Sequence, residues 1–417
     1  MRIMMLTQFY PPIIGGGAIH VRSLSTELAA RGHEVAVVTL WHTGLAAFEM
    51  DAGVKVYRVR SSTRRLPWLF RDSGRQYAPP FPDPEVTLAL RQIIRDGRPQ
   101  IVHAHNWLVY SYLPLKLWSG AKLVVTLHNY DLVCVKTTLL LNDSICNGPG
   151  LSKCLRCGIQ YYGPGKGVPT VLADRVMGQV RRCLVDMFLP VSQAVALGNG
   201  LAAQRLPFQV ISNFIPDDIG VARSDTTSYA AQLPNEPYLL FVGAFNRQKG
   251  VDVLLKAYAG LSDAPPLVLI GYETSDWPVL SKDCPGNVFV FKDWPRQAVI
   301  EALRRCFIAI LPSVGPESCP TVVMEAMSVG SPVIASRIGG LAELVTHDET
   351  GLLVEPGDAP ALQQAIRRLL ADPGVRKGMG EAALRNVDRF QASTVVPRIE
   401  HVYKGLLQKA AAPATGN

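Results

Sequence analysis

The chain has no run of roughly 18 apolar residues, the length needed to cross a bilayer, and its opening Met1-Arg2-Ile3-Met4-Met5-Leu6 is cut short by polar Thr7-Gln8. Neither a spanning helix nor a secretory signal is therefore expected, and the location expected is cytoplasmic. Internal repeats and low-complexity tracts are missing too, although 35 glycines and 31 prolines are present. Irregular structure is thus confined to connections and the tail. No zinc-finger, RNA-recognition or basic-zipper pattern occurs, which argues against a nucleic-acid partner. The net charge is nevertheless +8, from 42 Lys and Arg against 34 Asp and Glu. An excess of that sign favours a nucleotide, a lipid phosphate or a phospholipid surface.

What is present is enough apolar material for more than one core. With 417 residues, 48% of them apolar, the chain is long enough for two or three domains. Residues 2–6 read as a strand that breaks at Pro11-Pro12 and Gly15-Gly16-Gly17. A helix follows with Val21, Leu24, Leu28 and Ala29 on one face, and then Glu34 to Thr39 reads as the next buried strand. Strand, glycine turn, helix, strand is one βαβ unit and implies a parallel sheet. Further strands are expected at Ile101–Ala104, Leu123–Leu127, Asp186–Pro190 and Phe208–Ile211. A second alternating set runs through Tyr238–Val242, Leu267–Ile270, Val288–Phe291, Phe307–Leu311 and Pro332–Ala335. The reading is α/β: a first domain over 1–215, a linker over 216–236 rich in turn residues, and a second domain over 237–394. A C-terminal helix over 395–410 is expected to pack back on the first domain. Open α/β sheets bind ligands outside the carboxyl ends of their strands, so a cleft between two such ends is the expected site.

Three segments there carry chemistry. Gly15-Gly16-Gly17 stands between the first strand and first helix, where glycine allows close backbone approach and the helix N-terminus favours phosphate. A plain tight turn explains it equally well, and the triplet lacks the spacing of a dinucleotide fingerprint. Gly243 to Gly250 follows the first strand of the second domain and offers Arg247 and Lys249 to a diphosphate; the alternative is a solvated basic loop. Glu317-Ser-Cys-Pro-Thr-Val-Val-Met-Glu325 opens a helix, with Pro320 suited to its first turn and Ser318 a plausible cap. Eight residues of helix span ~12 Å, so the two carboxylates would grip different ends of an extended ligand rather than one atom.

Taken together these segments resemble the large retaining glycosyltransferase family numbered four, which has the GT-B fold of two Rossmann-like domains facing a central cleft. The resemblance runs from Tyr10-Pro11-Pro12 and the glycine triplet, through the Glu-seven-residues-Glu motif ending in Glu-Ala-Met, to Gly339-Gly340-Leu341-Ala342-Glu343 and Thr350–Asp358. It implies a hexosyltransferase-type enzyme moving a sugar from a UDP, GDP or ADP sugar to a saccharide or lipid-linked acceptor. Glu317 would hold donor sugar hydroxyls and Glu325 the nucleotide's ribose. Thr321 and Val322 would offer N–H groups to the diphosphate, Lys249 would neutralise it, and Gly16 with Gly17 would approach it. His128, in Thr126-Leu127-His128-Asn129, matches the histidine that points at the sugar. The family usually has Arg directly after the glycine of its second-domain loop, where this chain has Ala244; Arg247 is the candidate substitute. Where Phe-Gly is common after the first Glu, this chain has Cys319-Pro320, and a proline offers no N–H.

No carboxylate presents itself as a covalent nucleophile. A front-face mechanism with no catalytic cofactor is therefore expected, in which fixed charges absorb the leaving diphosphate. An epimerase would share the fold and donor site, and a non-catalytic nucleotide-sugar-binding protein would need fewer of these residues. Cys134, Cys146, Cys154 and Cys157 form a cluster whose Cys-x-x-Cys end suits a structural zinc, the alternative being ordinary buried cysteines. Finally, Tyr57 to Arg75 carries arginines at 58, 60, 64, 65, 71 and 75 around Leu66-Pro67-Trp68-Leu69-Phe70. It reads either as a solvated loop with a hydrophobic anchor or as a contact with anionic lipid at the inner face of the membrane.

Overall fold

The computed structural model describes residues 1–13, 16–65, 77–141, 144–221, 226–274 and 287–411. The chain divides into two compact units, one of residues 1–141, 146–212 and 395–417, the other of residues 142–145 and 213–394. Residues 216–236 thus belong to the second unit.

The first unit is built on a seven-stranded sheet: β1 (Arg2–Leu6), β2 (Glu34–Leu40), β3 (Phe48–Asp51), β4 (Val54–Val59), β5 (Ile101–Ala104), β6 (Lys122–Leu127) and, after a short hairpin of β7 (Leu140–Leu141) and β8 (Ser144–Ile145), β9 (Met187–Pro190). Its order is β3-β4-β2-β1-β5-β6-β9. Every pairing is parallel except β3 with β4, an antiparallel edge. Strands β1, β5 and β6 are buried almost throughout, which explains their continuous apolar sequences: helices cover both faces of a parallel sheet. The connection after β1 is α1 (Gly16–Ala30), which buries Val21, Leu24 and Leu28. Helix α2 (Pro84–Gly97) starts with Asp83 accepting from the Val86 N–H and with proline at its first position, a standard start signal. Residues 208–211 form no strand, although Phe208 bridges Phe188 and the Gln209 and Ile211 N–H groups donate to the Phe188 and Pro190 carbonyls; Pro190 has no N–H with which to continue the ladder. Tyr403, in the C-terminal helix Ala392–Ala411, is fully buried in this unit.

The second unit has a six-stranded sheet: β10 (Leu239–Phe245), β11 (Leu267–Glu273), β12 (Val288–Lys292), β13 (Ile308–Leu311), β14 (Val333–Ser336) and β15 (Gly351–Val354). All are parallel, in the order β12-β11-β10-β13-β14-β15. Its core packs Leu239, Phe241, Leu267, Ile308, Ile310 and Ile334 against helix residues such as Leu254, Leu362 and Ile366. In both sheets the order reverses beside the first strand, between β1 and β5 and between β10 and β13. These are the switch points where the following loops diverge and leave room for a ligand.

Candidate active site

In the second unit the switch point holds a compact set of charged and hydroxyl groups. After β10, Asn246 accepts from the Lys249 N–H and holds a single 3-10 turn, Arg247–Lys249. After β13, the loop carries Ser313 and Glu317. Lys249 Nζ lies 2.7 Å from Glu317 Oε1, and Ser313 Oγ donates to the same oxygen at 2.7 Å. Lys249 is one-third exposed and Glu317 about one-seventh, so the pair faces an accessible space. Arg247 is exposed. Three glycines make this proximity possible. Gly250 sits at φ +68°, and a Cβ there would run into the carbonyl of Pro312. Gly339 and Gly340 lie against the backbone of Glu317 and Ser318, and the Gly340 N–H donates to the Glu317 carbonyl at 2.7 Å.

Helix α11 (Thr321–Ser328) then begins. Ser318 is not its cap: Pro320 occupies the N-cap position and no side chain caps the helix. Thr321 and Val322 therefore present the first N–H groups of the helix, which have no intrahelical acceptor. Cys319 is buried, and burial pushes its thiol up to about 12, so it carries no thiolate beside Glu317. Glu325, four residues into α11, is only 6% exposed and forms an ion pair at 2.7 Å with Arg296. Arg296 and Ser313 escaped sequence reasoning. The first lies 29 residues from its partner, and no short-range pattern marks either. Ala244 is buried inside β10, so the usual arginine position is a packed strand residue here.

In the first unit four histidines gather at the switch point. His20 lies in α1, His103 in β5, His105 just beyond β5 and His128 just beyond β6. His105 Nδ1 is 3.0 Å from His128 Nε2, and their rings stack with centroids 5.3 Å apart. His20 meets His128 edge-on at 4.8 Å. His103 is fixed from both sides, by the Tyr403 hydroxyl at 2.6 Å and by Thr126 Oγ1 at 2.7 Å. Burial drives His103 down to about 3 and, with neighbouring imidazoles adding to it, drives His20 and His105 well below the ordinary histidine range. These rings are uncharged at neutral pH. Sequence reasoning identified His128 alone, since the other three carry no spacing signal and meet only when adjacent strands align. Gly16 and Gly17 are the first two residues of α1, exposed, with open space where a Cβ would stand; Gly15 lies outside the described residues.

The four cysteines of the insert are half-buried and free. Cys146 donates to the Gly148 carbonyl and Cys154 accepts from the Gly150 N–H, both at 3.4 Å. Among the described residues they do not form a group of three or more ligand atoms within 4.8 Å of one another. Beside them opens a cavity of about 560 Å³ whose polar lining includes Asn147, Asp174, Arg175, Gln179, Arg182 and Gln204. Of the arginine-rich segment, Trp68, Phe70, Arg71, Asp72 and Arg75 lie outside the described residues. Arg58 is buried and paired with Glu49 at 2.6 Å, Arg60 stacks over Trp41, and Arg64 and Arg65 both reach Glu85. Acidic residues of β3 and α2 are thus folded against these arginines. Among the described residues no helix is long and apolar enough to cross a membrane.

Comparison with known proteins agrees with this geometry. The model for glycosyl transferases group 1 matches residues 227–386, and that for glycosyltransferase family 4 matches residues 14–218. Glycogen synthase of Mycobacterium tuberculosis is 27% identical over 97% of this chain and 94% of its own length. Among solved structures, sucrose-phosphate synthase of Thermosynechococcus elongatus superposes with TM-score 0.76 at 20% identity, covering 98% of this chain and 99% of that one. Anabaena HepE, solved in complex with UDP-glucose, gives TM-score 0.69 at 17% identity over 97% and 99%. At such identities the structural likeness speaks for the fold. Two family matches, one in each unit, on a GT-B fold place the chain among the group 1 glycosyltransferases.

Proposed function

We propose that the protein moves a sugar from a nucleotide-sugar donor to a saccharide or lipid-linked acceptor, with retention of anomeric configuration and without a catalytic metal. The observation that carries this reading is the convergence of Lys249, Glu317 and Ser313 on one point, beside the open first turn of α11. A cation, a hydrogen-bond acceptor and free helix N–H groups are what a sugar diphosphate needs at its leaving-group end. In this reading Lys249, with Arg247 and the N–H groups of Thr321 and Val322, receives the diphosphate. Glu317 takes donor hydroxyls, and Glu325, held by Arg296, takes the ribose. Gly16 and Gly17 approach the diphosphate and His128 the sugar. The bond from anomeric carbon to phosphate oxygen breaks with its electron pair left on phosphate. The acceptor hydroxyl attacks the same face and gives its proton to that phosphate oxygen. A relative that makes glycogen and a fold neighbour that binds UDP-glucose support a nucleotide-sugar donor and a saccharide acceptor.

The test is a hydrolysis screen of UDP, GDP and ADP sugars in excess chelator, followed by proton NMR of the product with an acceptor. Hydrolysis of one donor class and a product of unchanged anomeric configuration are expected. Abolition by chelator restored by magnesium or manganese, or an inverted product, would overturn the mechanism. Conversion of the donor alone to an isomeric nucleotide sugar would mark an epimerase. Glu317→Gln should cut turnover more than nucleotide binding, and Glu325→Ala should weaken nucleotide binding as well.

A further inference from the structure

The cavity beside the cysteine insert, about 560 Å³, falls in the ~300–1,000 Å³ range of small-molecule sites, and its ionic lining is unbalanced. Arg175 and Arg182 line it against a single carboxylate, Asp174. Among the described residues neither arginine forms an ion pair, whereas Arg181, between them in sequence, is paired with Asp131 at 3.2 Å. Arg182 is half-buried and gives Nη2 to the Leu132 carbonyl at 3.0 Å, while its Nε has no acceptor. Burial, and then repulsion from Arg181, hold its pKa below the ordinary guanidinium value, as expected of a cation short of a counter-ion. Asp174 is 7% exposed. Its Oδ1 accepts from the Tyr110 hydroxyl at 3.3 Å, and its carboxylate makes no other hydrogen bond and no ion pair among the described residues. Asp174 and Arg182 lie on one helix, Pro164–Leu184, eight residues and therefore ~12 Å apart along its axis. The cavity wall thus carries an acceptor at one end and a donor two turns further on. Between and opposite them stand apolar Val171, Leu132 and Leu197. The far wall is fixed in advance by Asn199, whose Oδ1 accepts from the Leu132 N–H at 3.2 Å and whose Nδ2 donates to the Asn129 carbonyl at 3.0 Å.

We infer that this cavity binds a small sugar acid or sugar phosphate, its anionic group on Arg182 and its hydroxyls on Asp174. A guanidinium donates a fork of N–H groups to either a carboxylate or a phosphate, and an ionised carboxylate accepts from two hydroxyls. The apolar wall takes the C–H face of the sugar ring. The separation along the helix keeps the ligand's charge away from Asp174. An inorganic anion leaves Asp174 and most of the cavity unmet, and a neutral sugar leaves Arg182 without a counter-ion. Carboxylate and phosphate make the same demand on Arg182, so the two sources are separated by experiment. The inference does not depend on the proposed reaction, since none of these residues belongs to the donor-binding set.

The experiment is isothermal titration of the full chain with glucose 6-phosphate, glucuronate, inorganic phosphate and glucose. Expected is saturable binding of one equivalent of a sugar anion, with glucose and inorganic phosphate each weaker by about 10-fold or more. Whichever sugar anion binds tighter identifies the anionic group. Arg182→Gln should weaken that ligand by about 10-fold or more, and Asp174→Asn should narrow its margin over inorganic phosphate. Lys249→Gln, in the donor site, should leave its binding unchanged. Hydrogen exchange of the unmodified chain decides the matter even if a cavity variant fails to fold: saturating ligand should slow residues 132–139 and 197–204 and leave 246–250 as they were. No saturable binding of either sugar anion at millimolar concentration, equal binding of glucose or inorganic phosphate, or protection that falls on 246–250 instead overturns the site.

Discussion

Replacing Gly340 with alanine tests whether backbone contact, rather than side-chain chemistry, fixes the position of Glu317. A Cβ at this position would stand 2.7 Å from the carbonyl carbon of Ser318, and closer still to its oxygen. Carbon atoms need ~3.5 Å or more, so the 317–319 backbone must retreat by about an ångström. The Gly340 N–H bond to the Glu317 carbonyl resists that retreat. Overpacking of this kind costs ~1–3 kcal/mol, and at about 2–4 °C per kcal/mol for a domain of this size the melting transition should fall measurably. The larger consequence is for the site. Glu317 Oε1 is held at 2.7 Å by both Lys249 and Ser313, and a displacement near 1 Å in a positioned group can cost ~100-fold in rate. Turnover of the best donor should therefore fall by about that factor when measured well below the melting transition. A variant with wild-type melting and wild-type turnover would refute the clamp.

The opposite result is expected at Gly17, where a Cβ meets open space. Gly17→Ala should stabilise α1 by about 0.5–1 kcal/mol while raising the donor KM, and an unchanged KM would remove the glycine from the donor site. Asp174 gives a pH signature: burial, with the Asp131 carboxylate adding to it and Arg181 opposing, raises its carboxyl to about 6 from an ordinary 3.8. The unfolded chain ionises first, so this group costs stability as pH rises through that window, up to about 3 kcal/mol above it. Asp174→Asn should raise the melting temperature at pH 8 and leave it nearly unchanged at pH 4; equal shifts at both would refute the assignment. Elemental analysis of tag-free protein should find zinc that is lost in Cys154→Ser with Cys157→Ser, and zinc content indifferent to that change would leave the cysteines as plain thiols. Co-sedimentation with anionic liposomes should be salt-sensitive and fall in Trp68→Ser with Phe70→Ser, whereas a wild type that ignores such liposomes points to a soluble acceptor.

Strands buried on both faces were readable because apolar residues run through their centres, as Leu123-Val124-Val125 does in β6. The edge was not. β3 is Phe-Glu-Met-Asp, half polar and antiparallel, and β4 is Val-Lys-Val-Tyr-Arg-Val, whose end merges into the arginine-rich segment that follows. The Glu317–Glu325 segment was legible because loop and helix lie within nine consecutive residues. Arg296 and the histidines His20, His103 and His105 were not, because each meets its partners only through the fold, and Ser313, four residues before Glu317, carries no pattern that marks it. His20 and His128 stand more than a hundred residues apart in sequence, and the order of β1, β5 and β6 alone makes them neighbours. The cysteines show another limit: spacing suggests a tetrahedral cluster but says nothing of where each sulfur points, and among the described residues no three of these thiols gather within 4.8 Å of one another.

The two ion pairs of the candidate site differ in a way that bears on how a donor would enter. Lys249 with Glu317 is a partly exposed pair, and such pairs are worth only about 0–1 kcal/mol. Separating them is therefore cheap. On the proposed reading, an arriving diphosphate would displace Glu317 from Lys249 because it carries more charge, and Glu317 would keep its Ser313 bond while its remaining lone pairs turn to sugar hydroxyls. Glu325 with Arg296 is the reverse case. Its carboxylate is 6% exposed, and removing a partner from a buried charge costs about 3–5 kcal/mol. That pair should stay intact while a ligand binds, so on the proposed reading Glu325 would meet a ribose as a fixed acceptor with Arg296 still attached. One carboxylate is poised to change partners and the other is locked, and the difference follows from burial alone.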